Sequence, residues 1–234
     1  MTAIYKRELK SYFTSPIGYI FLAIMVFFQG QYFAAMFSAG LPDITYIFNQ
    51  MYIYVFFLVP ILTMRTMSED RRLKTDQALL TSPVSLTGIV MGKFLSTFTI
   101  FILSYSITLV FEIILAFQSV SINWLVYIGN ILGIGLMGAA LIAMGIFISA
   151  LTESQVAAAF GTFVATIVIY MLDFFTNLIN VNIVTKIVEW ISFMGRYNTF
   201  VNGVIDYSNA LFFIGFAAIF LFLTVRVLEK RRYS

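Results

Sequence analysis

The charged side chains of this 234-residue chain are few, and they are concentrated. Seven of them fall in one short stretch: Arg65, Glu69, Asp70, Arg71, Arg72, Lys74 and Asp76. A short charged helix, a break and the apolar Leu79-Leu80 pair suit a groove on a partner, with apolar anchors and a polar rim; the alternative is a solvated positive-inside loop that only sets topology. The chain has no His and no Cys. That removes thiol chemistry, disulfides, the commonest general base and the usual zinc ligands together. An intramembrane enzyme is disfavoured for the same reason: there is no Ser–His dyad, and no paired aspartates face each other across apolar stretches. One phosphate-loop look-alike, Gly88-Ile89-Val90-Met91-Gly92-Lys93-Phe94, is a residue short and lacks the final Ser or Thr that would hold magnesium. No catalytic, cofactor or metal site is expected in this chain.

Two further carboxylates, Glu112 and Asp173, lie inside apolar stretches, where an ionisable group is a functional candidate by default. Both fall near the expected outer ends, where side chains can also reach headgroups. Asn198, Asn202 and Asp206 are candidates for lining an exit.

The elements that position these residues follow from composition. Hydrophobic residues make up 61% of the chain and charged residues 11%, against about 25% charged in soluble domains. Such a chain cannot cover its surface with polar groups, so its solvent is lipid. Spanning helices need about 20 apolar residues. They are expected near Ile17–Phe37, Ile47–Met64, Gly92–Phe117, Trp124–Ala150, Gln155–Phe175 and Ser208–Leu228. The expected fold is all-α: a polytopic membrane protein with six transmembrane helices in one domain over residues 1–234. Twelve of the 14 basic residues flank these spans on one side, leaving Lys186 and Arg196 on the other. The positive-inside rule then makes both termini cytoplasmic.

Residues 1–15 do not read as a cleaved signal. Tyr5, Leu9, Tyr12 and Phe13 share one helical face, with Lys6, Arg7 and Lys10 opposite, which predicts an interfacial helix. Ser15-Pro16 supplies an N-cap and a first-turn proline for span one. In the charged loop, Ser68 is expected to cap a short helix, with Asp70 and Lys74 paired four residues apart. Ser82-Pro83 is expected to repeat the cap-plus-proline device before span three. Gly129 and Gly133 give a close-packing spacing, read as intramolecular. Ile183, Val184, Ile187, Val188 and Ile191 form one face of an external or re-entrant helix within 176–207, with Trp190 suited to an interface.

The stretch Glu69-Asp70-Arg71-Arg72-Leu73-Lys74-Thr75-Asp76-Gln77-Ala78-Leu79-Leu80-Thr81-Ser82-Pro83-Val84, followed by Gly92-Lys93, resembles the cytoplasmic motif of ABC-2 type transporter permeases. Lys74 stands where that family commonly has glycine, and Gln77 where it has glutamate. Lys6 to Phe13 with Ser15 to Tyr19 is similar to the family's amino-terminal elbow, and Ser149 to Gln155 to its turn between spans four and five. The nearest branches are the gliding-motility and nitrous-oxide-reductase-maturation permeases.

The resemblance implies an export permease in the bacterial cytoplasmic membrane that binds no nucleotide itself. Separate ATPase subunits would bind ATP and Mg and act on a coupling region, 65–91, through Glu69, Asp70, Arg71, Arg72, Thr75, Leu79, Leu80 and Pro83. Glu153 would be a second cytoplasmic contact, and a second permease copy would complete the pathway in lipid. Nucleic acid has no place in this reading. The competing reading is a membrane anchor or assembly factor that moves nothing.

Overall fold

The computed structural model describes residues 1–40, 43–77, 84–117, 123–176 and 192–233. Among them there is no strand. The helices are α1 (Thr2–Thr14), α2 (Pro16–Ser38), α3 (Thr45–Thr63), α4 (Ser68–Arg72), α5 (Leu86–Phe117), α6 (Trp124–Leu151), α7 (Gln155–Thr176), α8 (Phe193–Val201) and α9 (Tyr207–Tyr233). Six of them are long and apolar enough to cross a membrane, and each overlaps one of the six expected spans. The protein is an all-α polytopic membrane protein.

The centre of the bundle is α6, which packs against α3, α5, α7, α8 and α9. Its glycines make this possible. A methyl group on Gly133 would stand 2.5 Å from Cβ of Phe200, and one on Gly129 would stand 2.9 Å from the Phe200 carbonyl. The Gly129/Gly133 spacing therefore admits α8 of the same chain, as the intramolecular reading expects. Phe200, Tyr197 and Phe193 enter the core with α8 and are buried. Tyr197 stacks on Tyr52 and donates to the Phe48 carbonyl at 3.0 Å. A buried phenol finds its partner on the helix it packs against.

Helix α1 is present, but its contacts are specific. Ile4 and Tyr12 are buried, and Ile4 sits where a methyl on Gly92 of α5 would meet it at 3.1 Å. Tyr5 is hydrogen-bonded to Thr99 at 3.1 Å, and Tyr12 to Thr97 at 3.0 Å. The aromatic side of α1 is thus turned onto α5, while Phe13 stays exposed.

Several local expectations are corrected. Ser15 occupies the N-cap of α2 with Pro16 at the first turn, but its hydroxyl caps nothing. It accepts from Arg65 at 2.5 Å instead. The third span begins at Leu86, six residues before the expected Gly92, with the Ser85 hydroxyl accepting from the Gly88 N–H at 3.2 Å. Ser82-Pro83 lies outside the described residues, as do the apolar face from Ile183 to Ile191, Trp190 and Lys186. At 32 residues, α5 is about 48 Å long, well beyond a hydrocarbon core of about 30 Å. Its first turns run alongside α1.

Candidate functional site

The charged stretch after α3 is built into the bundle. At its start the chain turns under Ser149 of α6, a fully buried residue. The Ser149 hydroxyl accepts from the backbone N–H groups of Met67 and Ser68, each at 3.1 Å, and donates to the Met64 carbonyl at 3.0 Å. One hydroxyl thus satisfies three backbone groups of a turn that helix geometry leaves open. Ser68 does not cap α4. Its hydroxyl donates back to the Met64 carbonyl at 2.5 Å.

Asp70 does not pair with Lys74. Its carboxylate meets Lys93 Nζ at 2.5 Å and Arg7 at 3.5 Å, and accepts from the Thr75 hydroxyl at 2.8 Å. Lys93 also reaches Glu8 of α1 at 3.1 Å and donates to the Thr66 carbonyl at 2.6 Å. Its side chain is 2% exposed, and those of Glu8 and Asp70 are 14% and 17% exposed. A cation so far from water is stable only when opposite charges and acceptors surround it, and here they do. Arg7 clips the two carboxylates from the solvent side, 2.7 Å from Glu8. Burial pulls the Arg7 pKa down, but its hydrogen bond to Glu8 and the charges of Glu8 and Asp70 outweigh that and leave it raised.

The other charges tie the same stretch to further elements. Arg65 pairs with Glu69 at 2.8 Å and donates to Ser11 of α1 at 2.7 Å. Arg71 pairs with Glu153 at 3.1 Å and donates to the Leu151 carbonyl at 3.0 Å, joining α4 to the turn between α6 and α7. Arg231, near the end of α9, donates to the Ala150 carbonyl. Helix α1, the end of α3, the start of α5, the α6–α7 turn and the end of α9 therefore converge at one end of the bundle.

Arg72, Leu73, Lys74 and Thr75 are exposed on the outside of this junction. Lys74 has a φ of +57°, the left-handed conformation that glycine adopts without penalty. Leu79, Leu80 and Pro83 lie outside the described residues.

The candidate pathway residues are less united. Glu112 is buried on α5, and one of its carboxylate oxygens has no partner among the described residues. Asp173 lies on α7. Asn198 is half-buried within α8, and Asn202 ends that helix. Asp206 accepts from the Ser208 N–H at 2.8 Å, the contact of a helix cap at the start of α9. Among the described residues, the side chains of Glu112, Asn198, Asn202 and Asp206 share no hydrogen bond with one another.

Lys93, Glu8 and Ser149 escape sequence reasoning as site residues. A signal exists for Lys93. It sits two turns inside α5 among Ile89, Val90 and Phe94, and a lysine in such company needs a carboxylate from elsewhere in the fold.

No curated protein matches the chain. A family model described as ABC-2 family transporter protein matches residues 35–228, which take in most of the junction and all of α3 to α8. With that match spanning most of its length, the chain belongs to the ABC-2 transporter family and is a membrane component of an ABC transporter.

Proposed function

We propose that this chain is the permease subunit of an ABC exporter, paired with a second permease copy and driven by separate ATPase subunits that bind ATP and Mg. The carrying observation is the junction. The Arg65–Gln77 stretch offers Arg72, Leu73, Lys74 and Thr75 to solvent, while its other side chains grip α1, α5, α6 and the turn at Glu153. A part exposed on one side and bonded into the spans on the other suits transmission of force from a docked ATPase. The partner would engage Glu69, Asp70, Arg71, Arg72 and Thr75 at a polar rim, with Leu79, Leu80 and Pro83 as apolar anchors. Since Asp70 and Arg71 are already paired within the chain, they shape the surface, and Arg72 and Lys74 are exposed charges at its rim with no ion pair among the described residues.

The proposed setting is the bacterial cytoplasmic membrane with both termini cytoplasmic. The basic residues flanking the spans support that orientation, and so does the presence of α1 and the end of α9 at one end of the bundle. The permease itself does no catalysis. Translocation would run through the two permease copies, with Glu112, Asp173, Asn198, Asn202 and Asp206 as candidate lining.

The test is purification of the chain from its own membranes, alone and as the Leu79→Ala/Leu80→Ala variant. We expect an ABC ATPase to co-purify with the parent, with hydrolysis that depends on the permease. The variant should lose the ATPase at normal membrane levels, each leucine contributing roughly 2–4 kcal/mol as interface hot spots do. Undiminished co-purification and hydrolysis with the variant would sink this assignment of the coupling region.

A further inference from the structure

The Lys93 ammonium donates to the Thr66 carbonyl in the turn between α3 and α4, and pairs with the carboxylates of Glu8 on α1 and Asp70 on α4. The lysine itself is part of α5. One ammonium group is therefore the meeting point of four pieces of chain. A lysine that only oriented the helix in the membrane would lie exposed among headgroups. This one is 2% exposed, and its carboxylate partners come from segments 85 and 23 positions away in the sequence.

We propose that Lys93 is a positioning residue that locks the Arg65–Gln77 stretch to α1 and α5, so that a displacement of that stretch carries both helices with it. This rests on the coupling role proposed above and adds the route by which movement enters the spans. Moving α4 alone would strip Asp70 from a buried cation and leave Glu8 with it. Moving α4, α1 and α5 together breaks nothing in the cluster. Since a buried pair resists separation far more than an exposed one, joint movement is the lower-energy course. Arg7, half-exposed, adds a weaker clip that salt screens. Arg71 and Glu153 make a second, more exposed link to the α6–α7 turn.

The chain has no Cys, so spin labels attach only where cysteines are introduced. Lys6→Cys on α1 and Leu73→Cys at the end of α4 are exposed and outside the cluster. The distance between the two labels is measured by pulsed electron resonance in lipid nanodiscs. Doubly labelled chains are diluted with unlabelled ones, on the permease alone and on the complex with ATP and vanadate. In the parent, one narrow distance should persist under both conditions. In Lys93→Met the ratio of joined to parted molecules should fall at least about fivefold, the lower end of ordinary coupling free energies.

A second variant guards against simple misfolding. Glu8→Gln/Asp70→Asn/Lys93→Met removes the charges together and so avoids leaving a buried charge unpaired. It should fold with near-parent thermal stability yet still show parted labels. A narrow, parent-like distance in this triple variant would overturn the proposal, because packing and not the cation would then join the elements. A narrow distance in well-folded Lys93→Met would overturn it equally. Parted labels in Lys93→Met that become no more numerous with ATP and vanadate support the junction and count against the ATPase-coupling role.

Discussion

Removing one oxygen atom tests how the coupling stretch is held. Ser149→Ala leaves the α6 backbone intact and slightly favours the helix, by up to about 0.5 kcal/mol. It also leaves the N–H groups of Met67 and Ser68 without their acceptor, at a site the structure shows fully buried. An orphaned buried group costs roughly 1–3 kcal/mol, so two of them set an expected loss of about 2–5 kcal/mol after the helix gain. The Met64 carbonyl keeps a second donor in Ser68, so it adds little. The loss should be local, because among the described residues the Ser149 hydroxyl bonds only to the turn. Trypsin has sites at Arg71, Arg72 and Lys74. Cleavage there follows the population of the opened form when reclosing is fast. A local loss of 2 kcal/mol then raises the cleavage rate about 30-fold. Ser149→Thr, which keeps a hydroxyl, is the control. Parent-like cleavage by Ser149→Ala, with unfolding in mixed micelles changed by under about 0.5 kcal/mol, would refute this reasoning.

Two further outcomes follow from the geometry. Lys74→Gly should stabilise the turn by about 1 kcal/mol, since it relieves a left-handed residue; slower hydrogen exchange at residues 70–77 is the check, and unchanged or faster exchange would contradict the assignment. Gly133→Ala should cost roughly 1–3 kcal/mol by forcing Phe200 aside, and Phe200→Ala in the same chain should recover part of that loss; additive losses in the double-mutant cycle would show that the two positions do not touch.

The spans were legible because lipid demands about 20 apolar residues in a row, a requirement that leaves little latitude. The close-packing glycines were legible for a similar reason, since their spacing alone says that something approaches there. The caps and the pairing of Asp70 were not. Ser68 and Lys74 sit at spacings where local rules apply, and those rules lost to groups from far along the chain. Ser149 took the backbone donors that a cap would take, and Lys93 took the carboxylate. Exposed pairs four residues apart gain only about 0.2–0.5 kcal/mol, so a buried cation with an unmet need outbids them. The glycine that the family commonly has at position 74 does correspond to a visible feature, the positive φ there. The substitution is visible in the sequence, but its meaning for the backbone is visible only in the fold.

The buried lysine also bears on how the chain is made. Glu8 and Asp70 both precede Lys93, the nearer by 23 positions. At about 5–20 residues per second, Asp70 leaves the ribosome roughly 1–5 s before Lys93 does. The two anions are thus already waiting when the cation arrives, and α5 enters the membrane with its counter-charges in place. A nascent chain stalled beyond Phe117 should accordingly shield Lys93 from an amine-reactive label, whereas one with Glu8→Gln and Asp70→Asn should leave it open to attack. Had the order along the chain been reversed, a lone lysine two turns inside a helix would have had to wait for its partners during synthesis.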